Sequence, residues 1–276
     1  MKREDLVNEL VARGYNAELT ENVKNGVICK GIVIRQEDSN IAPLFYTGAL
    51  IAEAEAYNYS IAQATDMLLE MYEKHVVDNF NLKSIFNKSY VLEHIFIGLQ
   101  KASDEDIIKR NSEFEGIEDY LFLSGKNEQF GDFSIRITKN YLDNLLISEE
   151  EAWSKALENT CRYSTMRSVL QILRESWNLP FEFPFDEDTV PLYVLSNATQ
   201  IKGAGAIYNK ELLKEFKELF GVEKAIMFPS SVHEVLIAPY NDDTDIEEYS
   251  SIVTEVNGKE VHEIEQLTNR AYIIEL

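Results

Sequence analysis

The chain has 276 residues, of which 45% are hydrophobic and 27% are charged, so it is long enough and balanced enough to form a globular core. Its 26 Lys and Arg against 48 Asp and Glu give a formal net charge of −22, and a field of that sign repels phosphate backbones. This composition excludes a disordered tail and a small stapled scaffold, and it disfavours direct binding to nucleic acid.

The N-terminal part of the chain predicts a helix followed by a β-hairpin. Apolar residues recur at helical spacing from Leu6 to Val11, and Gly14 ends the pattern. The β-prone segments 15–21 and 27–35 are joined through Asn25-Gly26, which is the strongest short hairpin signal. A third extended run, residues 41–46, contains Pro43 and therefore predicts an edge strand or a strand start.

The middle of the chain alternates helical and extended patterns. Ser60 and Gln63 form a capping box that predicts a helix over residues 60–77. The stretch 84–99 fits either a helix or a strand, and its aromatic and β-branched content favours the strand. Further along, the pattern predicts a short helix at 104–110 and extended segments at 117–123 and 133–138.

Two more helices are predicted before a connector rich in aromatic and acidic residues. Ser148 and Glu151 form a second capping box, which opens a helix that carries Cys161 on its apolar face. A second stripe, residues 166–177, has helical spacing and ends before Pro180. The connector 181–191 follows, and it indicates a soft boundary between an N-terminal region, 1–180, and a C-terminal region, 191–276.

The C-terminal region predicts a compact β-β-α-β-β unit and a terminal helix. The pattern gives strands at 192–195, 204–208, 225–228 and 232–238, a helix at 210–220, a helix at 246–256 ended by Asn257-Gly258, and a closing strand at 271–276. The fold class is therefore α+β, with an N-terminal helix and β-hairpin region followed by helices and then by this unit. The two regions are also compatible with one continuous body.

Cysteine usage and hydropathy predict a cytoplasmic protein without a membrane segment. Cys29 and Cys161 are far apart in sequence and form no metal or redox motif, which is typical of a reducing compartment. The N-terminus lacks the apolar stretch of a signal peptide, and no run of about 18 apolar residues is present to span a bilayer.

No metal or cofactor motif emerges from the sequence. The four histidines, His75, His94, His233 and His262, show neither the His-x-x-x-His spacing nor a cysteine partner at zinc-ligand spacing. Gly203 and Gly205 would let a backbone approach a phosphate, but the third glycine and the lysine of a phosphate loop are missing. Two such glycines more often mark a bulge or a tight packing point.

One segment concentrates residue types that carry chemistry. Ser230, Ser231, His233 and Glu234 supply two hydroxyls, an imidazole and a carboxylate within five residues. In a strand, Ser231 and His233 share one face while Glu234 points to the other, so a local triad is disfavoured. Two interpretations are open. The segment is either a turn in which His233 is hydrogen-bonded, or part of a catalytic or ligand-binding site that also uses Asn197, which follows a predicted strand. Asn197 is itself typical of a turn.

Acidic residues cluster in the second half of the chain with few cations between them. Such clusters steer basic partners or mimic a phosphate track on a nucleic-acid-binding protein, although acidic surfaces also serve solubility alone. The candidate interaction surface consists of Asp186, Glu187, Asp188, Asp242, Asp243, Asp245, Glu247 and Glu248.

Several segments resemble a bacterial family that is defined only as a domain of unknown function. The segments are residues 25–35 and 40–43, Tyr-Val-Leu-Ser-Asn at 193–197, Gly-Ala-Gly-Ala-Ile-Tyr at 203–208 and Pro-Ser-Ser-Val-His-Glu at 229–234. The family usually has Leu before that Pro and Ile after the serines, where this chain has Phe228 and Val232. The resemblance implies an intracellular bacterial α+β protein, and it assigns no catalytic residue.

The sequence supports two functional hypotheses from different classes. The first is a non-enzymatic interaction or regulatory protein that engages a basic protein partner through its acidic surface, and that inhibits a nucleic-acid-binding protein or mimics its ligand. The alternative is a hydrolase or small-ligand-binding protein with a site at Ser230, Ser231, His233 and Glu234, together with Asn197, Gly203 and Gly205.

Overall fold

The computed structural model describes residues 1–37, 39, 42–75, 83–127, 131–177 and 190–276. It is an α+β fold in which helices accompany three antiparallel sheets, as predicted. The chain divides into two compact units, one formed by Met1–Ser84 with Lys126–Phe133 and the other by Ile85–Gly125 with Ser134–Leu276. Among the described residues, no helix combines the length and the apolarity needed to cross a membrane.

The first unit packs helices against a small sheet of order β1-β2-β3. Its elements are α1 (Arg3–Ala12), β1 (Asn16–Lys24), β2 (Val27–Arg35), β3 (Leu44–Phe45), α2 (Gly48–Ala56) and α3 (Ile61–His75). Leu6 and Leu10 of α1, Ile32 and Ile34 of β2 and Leu68 of α3 are fully buried in one core.

Local signals predicted most of this unit correctly. Asn25 and Gly26 have φ angles of +52° and +75°, which is the type I′ turn that joins strands of matching twist. The backbone N–H of Gln63 donates to Ser60 Oγ, and the backbone N–H of Ser60 donates to Gln63 Oε1, so the capping box forms. Strand β3 lies at the sheet edge as Pro43 predicted, whereas α2 was not predicted.

The second unit begins with a sheet of order β4-β6-β5, to which β7 is added by pairing with β6. Its elements are α4 (Lys88–His94), β4 (Ile95–Lys101), β5 (Lys109–Asn111), β6 (Ile117–Asn127), β7 (Gly131–Arg136), α5 (Lys139–Asn144) and α6 (Glu149–Tyr163). The last residues of β6 and the first of β7, within Lys126–Phe133, are counted with the first unit. Helix α6 starts at the predicted cap, because Ser148 Oγ accepts from the Glu151 amide at 3.1 Å. Helix α5 had not been predicted.

Two sequence predictions in this region are wrong. The stretch 84–99 is not one strand, because Asn87 Oδ1 accepts from the Tyr90 amide and starts α4 before β4 begins. The helix predicted at 104–110 is absent from the described chain, because the Ile108 amide donates to Ile137 O and its carbonyl accepts from Leu121. These contacts between distant residues draw the segment toward β6, and tertiary pairing therefore overrides the local helical pattern.

A third sheet, of order β12-β10-β11-β9-β8, completes the second unit. The elements are β8 (Ser164–Ser168), α7 (Val169–Trp177), β9 (Tyr193–Asn197), a 3₁₀ helix (Ala204–Tyr208), α8 (Lys210–Phe220), β10 (Lys224–Ser231), β11 (Glu234–Pro239), α9 (Ile246–Lys259) and β12 (Tyr272–Glu275). Residues 178–189, with most of the predicted boundary at 181–191, lie outside the described residues. Strands β8 and β9, on either side of them, are antiparallel partners.

Three predictions for this part of the chain need correction. Residues 204–208 form a 3₁₀ helix instead of a strand, because their amides close short turns such as Ala206 N to Gly203 O, so the predicted β-β-α-β-β order is wrong at its second element. Residue 166 belongs to β8, and α7 starts only at Val169. Helix α9 continues past Asn257 to Lys259.

The third sheet is covered by different elements on its two faces. Ala225 and Met227 of β10 and Ile237 of β11 point into a core that contains Phe216 of α8. The alternate residues Ile226, Phe228 and Ala238 pack into a second core with Val253 of α9. The period of two along the strands therefore assigns α8 and α9 to opposite faces.

Candidate functional site

The turn between β10 and β11 holds His233 through hydrogen bonds from its neighbours. His233 Nδ1 accepts from the Lys202 amide at 3.1 Å, and Nε2 lies 3.4 Å from Glu265 Oε1. The His233 amide donates to Ser231 Oγ at 3.1 Å. His233 thus joins the turn to the loop of residues 198–203, which is called the 202 loop below. About a third of its side chain (31%) remains exposed, so one edge of the ring faces solvent.

Ser196 and Gly203 meet at the carbonyl oxygen of His233. Ser196 Oγ donates to this oxygen at 2.8 Å and the Gly203 amide donates to it at 2.9 Å. A Cβ on Gly203 would stand 2.4 Å from Ser196 Oγ, which no side chain tolerates. The glycine therefore permits a close approach of three chain segments.

Asn197 organises the loop that leads from β9 to Gly203. Its Oδ1 accepts from the amides of Thr199 and Ile201 at 3.1 and 3.3 Å, and its Nδ2 donates to Ile201 O at 2.8 Å. The side chain thus forms a ring of local bonds typical of an asparagine turn. All of its hydrogen-bonding groups are engaged within the loop.

Gly205 lies in the 3₁₀ helix and contacts a different strand. A Cβ at this position would stand 2.3 Å from the carbonyl oxygen of Ile97 in β4. The two close glycines, 203 and 205, are thus packing points against β9 and β4 respectively.

The residues of the 230–234 segment do not all face one place. Ser231 is buried beside His233, whereas Ser230 lines an apolar cavity on the face of the sheet that α9 covers. Among the residues that the structure describes, neither serine hydroxyl is hydrogen-bonded to a ring nitrogen of His233. Glu234 opens β11 and pairs in register with Ser231. The structure therefore brings Asn197, Gly203, Ser231 and His233 together and separates Ser230 from them.

The acidic residues of the C-terminal part lie on the surface at the start of α9. Asp245 caps this helix, since its Oδ1 accepts from the Glu247 and Glu248 amides at 2.9 and 3.3 Å. Asp242 and Asp243 are exposed in the preceding turn. These five residues, Asp242, Asp243, Asp245, Glu247 and Glu248, are called the acidic surface below. Asp186, Glu187 and Asp188 lie outside the described residues.

The neighbouring chain neutralises little of the acidic surface: Asp242 interacts electrostatically with Lys224, which is itself paired with Glu275. No Lys, Arg or His within the described ranges forms an ion pair with any of its five members. In contrast, Glu255 of the same helix pairs with Lys259 and Glu275 of β12 pairs with Lys224.

A cavity of about 260 Å³ lies between α9 and the third sheet. The sheet and the chain leading into it contribute Val190, Leu192, Phe228, Ser230 and Leu236, and α9 contributes Tyr249, Ile252, Val253, Val256 and Asn257. Its walls are apolar apart from Ser230 and Asn257. The sequence pattern did not predict this cavity; its one local signal is the pair Ile252 and Val256, which lie one turn apart on a helix flanked by acidic residues.

A buried carboxylate was also missed. Asp119 of β6 accepts a hydrogen bond from the Tyr208 hydroxyl at 2.5 Å and one from Arg110 Nε at 3.1 Å. Burial raises the pKa of Asp119 above its ordinary value, and these two hydrogen bonds oppose the shift. Burial together with the neighbouring carboxylate raises the pKa of Tyr208 as well. The acidic pair Glu118-Asp119 inside an apolar strand was the sequence signal.

Two further kinds of group can carry chemistry: possible metal ligands and the thiol of Cys161. Within the described parts of the chain, no group of three or more His, Cys, Asp or Glu side chains is arranged to hold a metal ion. Cys161 is partly buried, and burial raises the pKa of its thiol.

Comparison with known proteins places the chain in a family without an assigned activity. Neither a curated protein nor a solved structure matches this sequence. The family described as a family of unknown function, DUF5688, matches residues 2–275, which is nearly the whole chain. The resemblance noted from the sequence is thereby confirmed, and the protein belongs to the DUF5688 family.

Proposed function

We propose that this protein is a non-enzymatic, cytoplasmic interaction protein whose acidic surface engages a basic partner protein. The observation that carries the proposal is the charge of residues 241–265, which contain nine Asp or Glu and one Lys. The five carboxylates of the acidic surface are exposed or cap a helix, and they have no ion-pair partner among the described residues. A basic partner would supply the counter-charge.

Part of this charge has a local role, and part has none. Asp245, Glu247 and Glu248 lie at the N-terminus of α9, where carboxylates stabilise a helix by about 0.3–1 kcal/mol each through its dipole. Asp242 and Asp243 precede the helix and receive no such compensation. Asp242 and Asp243 repel the carboxylates at the start of α9. Binding of cations relieves this repulsion, which favours association with a basic surface.

Cytoplasmic residence is supported by the state of the cysteines. Cys29 and Cys161 are both free thiols and both are partly exposed. Thiols of this kind persist in a reducing compartment.

The alternative of a hydrolase site at Ser230, Ser231, His233 and Glu234 has less support from the geometry. A nucleophile needs a base within hydrogen-bond reach, and the ring of His233 contacts the Lys202 amide and Glu265 instead of a serine hydroxyl. The polar atoms of Asn197 are used within its own loop. These contacts favour a structural role for the turn.

The experiment that tests the proposal is capture of partners by the tagged protein from lysate of its host at two ionic strengths. Raising the salt from about 0.1 M to about 1 M shortens the screening length from about 10 Å to about 3 Å. We expect a basic protein to be retained at low salt and lost at high salt. A nucleic-acid-binding partner would support mimicry of a phosphate track if nucleic acid competes for the captured protein.

A matched pair of variants makes the test specific to the acidic surface. The test variant is Asp242→Asn/Asp243→Asn/Glu247→Gln/Glu248→Gln, which leaves the Asp245 cap intact. The control, Glu149→Gln/Glu150→Gln/Glu211→Gln/Glu215→Gln, removes the same charge from exposed positions on α6 and α8, including first-turn carboxylates. Loss of the partner in the test variant alone supports the proposal. Equal retention by both variants contradicts it.

A further inference from the structure

The cavity between α9 and the third sheet has the form of a receptor for apolar side chains. Its floor is made by Phe228 and Leu236 of the sheet, and its mouth by Val190, Ile252 and Val256. These three mouth residues are 43%, 47% and 43% exposed, although each is a large aliphatic side chain. Exposed apolar surface of this kind, concave and contiguous, marks an interaction site more often than a solvated surface.

The polar atoms of the cavity do not suit a polar ligand. Asn257 Nδ2 donates to Thr268 O at 3.0 Å and to Asn269 Oδ1 at 2.8 Å, so its N–H groups are occupied within the fold. Ser230 and Tyr249 are the lining residues that carry hydroxyls. Because nearly all of the exposed lining is apolar, the site recognises hydrocarbon.

The volume indicates what size of apolar group fits. A cavity of about 150 Å³ accommodates a benzene molecule, and pockets for drug-sized ligands span about 300–1,000 Å³. The observed 260 Å³ lies between these values. It matches one aromatic or two aliphatic side chains better than a whole cofactor.

The charges around the mouth decide between the possible sources of that hydrocarbon. Glu248 lies one turn before Ile252 on α9, and the rest of the acidic surface lies at the same end of the helix. Glu255, one turn after Ile252, is paired with Lys259, so the carboxylates without an ion pair lie on the Glu248 side. Carboxylates in these positions repel fatty acids and anionic lipid headgroups. They attract an apolar group that is flanked by Lys or Arg.

We propose that this cavity receives one or two apolar side chains of a basic segment of a partner protein, whose Lys and Arg contact the acidic surface. The inference rests on the proposed function and deepens it, because it names the segment that is bound: an apolar anchor between clusters of cations. The acidic surface then supplies long-range attraction, while the cavity supplies a contact that salt does not screen.

The test uses three kinds of synthetic peptide and the full chain with labelled methyl groups. The basic apolar peptide is acetyl-Lys-Arg-Lys-x-x-Lys-Arg-Lys-amide, with the central pair varied among Leu, Ile, Phe and Trp. In the second peptide the central pair is Ser-Ser, and in the third all cations are replaced by Gln. Affinity is measured by fluorescence anisotropy, and the binding site is mapped by NMR shifts of the Leu192, Leu236 and Val253 methyls.

We expect the best basic apolar peptide to bind about tenfold or more tightly than the serine peptide, which is the effect of burying one apolar side chain. Its binding should shift the cavity methyls, whereas the serine peptide should shift only signals of the acidic surface. Ile252→Ser should abolish the tenfold difference and leave the serine peptide unaffected. The control Leu219→Ser, at an exposed apolar position on α8, should change neither affinity.

Each contrary outcome has a distinct meaning. Equal affinity of the basic apolar and serine peptides, with unshifted cavity methyls, overturns the cavity inference and leaves the proposed function standing. Absence of binding by both basic peptides overturns both proposals. Equal affinity of the uncharged and basic apolar peptides overturns the assignment of a basic partner. A concentration-dependent dimer that Ile252→Ser dissociates would assign the cavity to a second copy and would also overturn the inference.

Discussion

Gly205 lies so close to Ile97 that a Cβ on the glycine would stand 2.3 Å from the isoleucine carbonyl oxygen. This contact joins the 3₁₀ helix Ala204–Tyr208 to strand β4, and the contacted oxygen belongs to the backbone, which cannot rotate away. We therefore expect Gly205→Ala to lower the free energy of unfolding by about 1–3 kcal/mol, the usual effect of overpacking. Urea unfolding followed by circular dichroism measures it.

Gly258 offers a control for that substitution. It lies in helix α9, and a Cβ there would meet nothing within 4 Å. Gly258→Ala should stabilise the protein by about 0.5–1 kcal/mol through its helix propensity. If both alanine variants change stability equally, the contact with Ile97 is not the cause.

The turn glycine of the first unit should respond to alanine for a different reason. Gly26 also has open space around it, but its φ of +75° is unfavourable for a residue with a Cβ. Gly26→Ala should destabilise the unit by about 1–2 kcal/mol, measured by urea unfolding. Gly258→Ala, which also has open space but no positive φ, is the matched control; a loss of the same size in Gly258→Ala would contradict the backbone explanation.

The hydroxyl of Tyr208 should stabilise the buried carboxylate of Asp119. Tyr208→Phe removes the 2.5 Å hydrogen bond and leaves one carboxylate oxygen without its donor. We expect a loss of about 1–3 kcal/mol in the free energy of unfolding at neutral pH. Tyr163→Phe, at a half-exposed position, is the matched control and should have almost no effect. Similar losses in the two variants would refute the role of the hydrogen bond.

Asp119 should also impose a pH dependence on stability. Burial raises its pKa in the folded protein above the ordinary value of 3.8, so the folded state holds the proton more tightly than the unfolded chain. The free energy of unfolding therefore falls as the pH rises from the ordinary pKa through the folded one. Asp119→Asn lacks this titration, so as the pH rises above about 4 its free energy of unfolding should fall less than that of the parent. Parallel curves would exclude Asp119 as the source.

The ring of His233 should protect one amide in the 202 loop. In His233→Ala the Lys202 amide loses its acceptor Nδ1, whereas the Gly203 amide keeps the carbonyl of residue 233. Because one hydrogen bond contributes about 1 kcal/mol, exchange of the Lys202 amide should accelerate about five- to tenfold. Exchange of the Gly203 amide in the same sample is the internal reference, and equal acceleration of both amides would indicate general loosening instead.

The elements that the sequence predicted correctly are those whose signals are local. Asn25-Gly26 specifies its turn through backbone angles, and Ser60 with Gln63 and Ser148 with Glu151 specify helix starts through bonds three residues apart. These interactions need no distant partner. A window of a few residues therefore contains all the information that forms them.

Two of the wrong predictions depend on distant contacts, whereas the one at 84–99 missed a local helix cap at Asn87. Residues 204–208 carry a β-prone pattern, but Gly205 must fit against Ile97, more than 100 residues earlier in the chain. Residues 104–110 carry a helical pattern, but Ile108 is hydrogen-bonded to Leu121 and Ile137. A local pattern does not encode either neighbour.

The candidate sites also divide into one that a local sequence pattern predicts and one that only contacts between distant segments create. The acidic surface was visible as a run of carboxylates, and the structure adds only which of them caps α9. The cavity was not visible, because its walls come from Val190, β10, β11 and α9 together. The closeness of Ser230 and His233 in sequence suggested one site, but successive strand residues face opposite sides of the sheet, so Ser230 points to the face that α9 covers while Ser231 lies beside His233.

The order of the third sheet has a consequence for synthesis of the protein. Strand β10 pairs with β11 on one side through a short turn, but its other partner, β12, starts at Tyr272, well after β11 ends at Pro239. At roughly 5–20 residues per second, a ribosome needs about two to seven seconds to make the intervening chain. Until β12 is in place, one edge of β10 has no partner within the sheet, and an unpaired edge of this kind is a site at which another extended chain can pair.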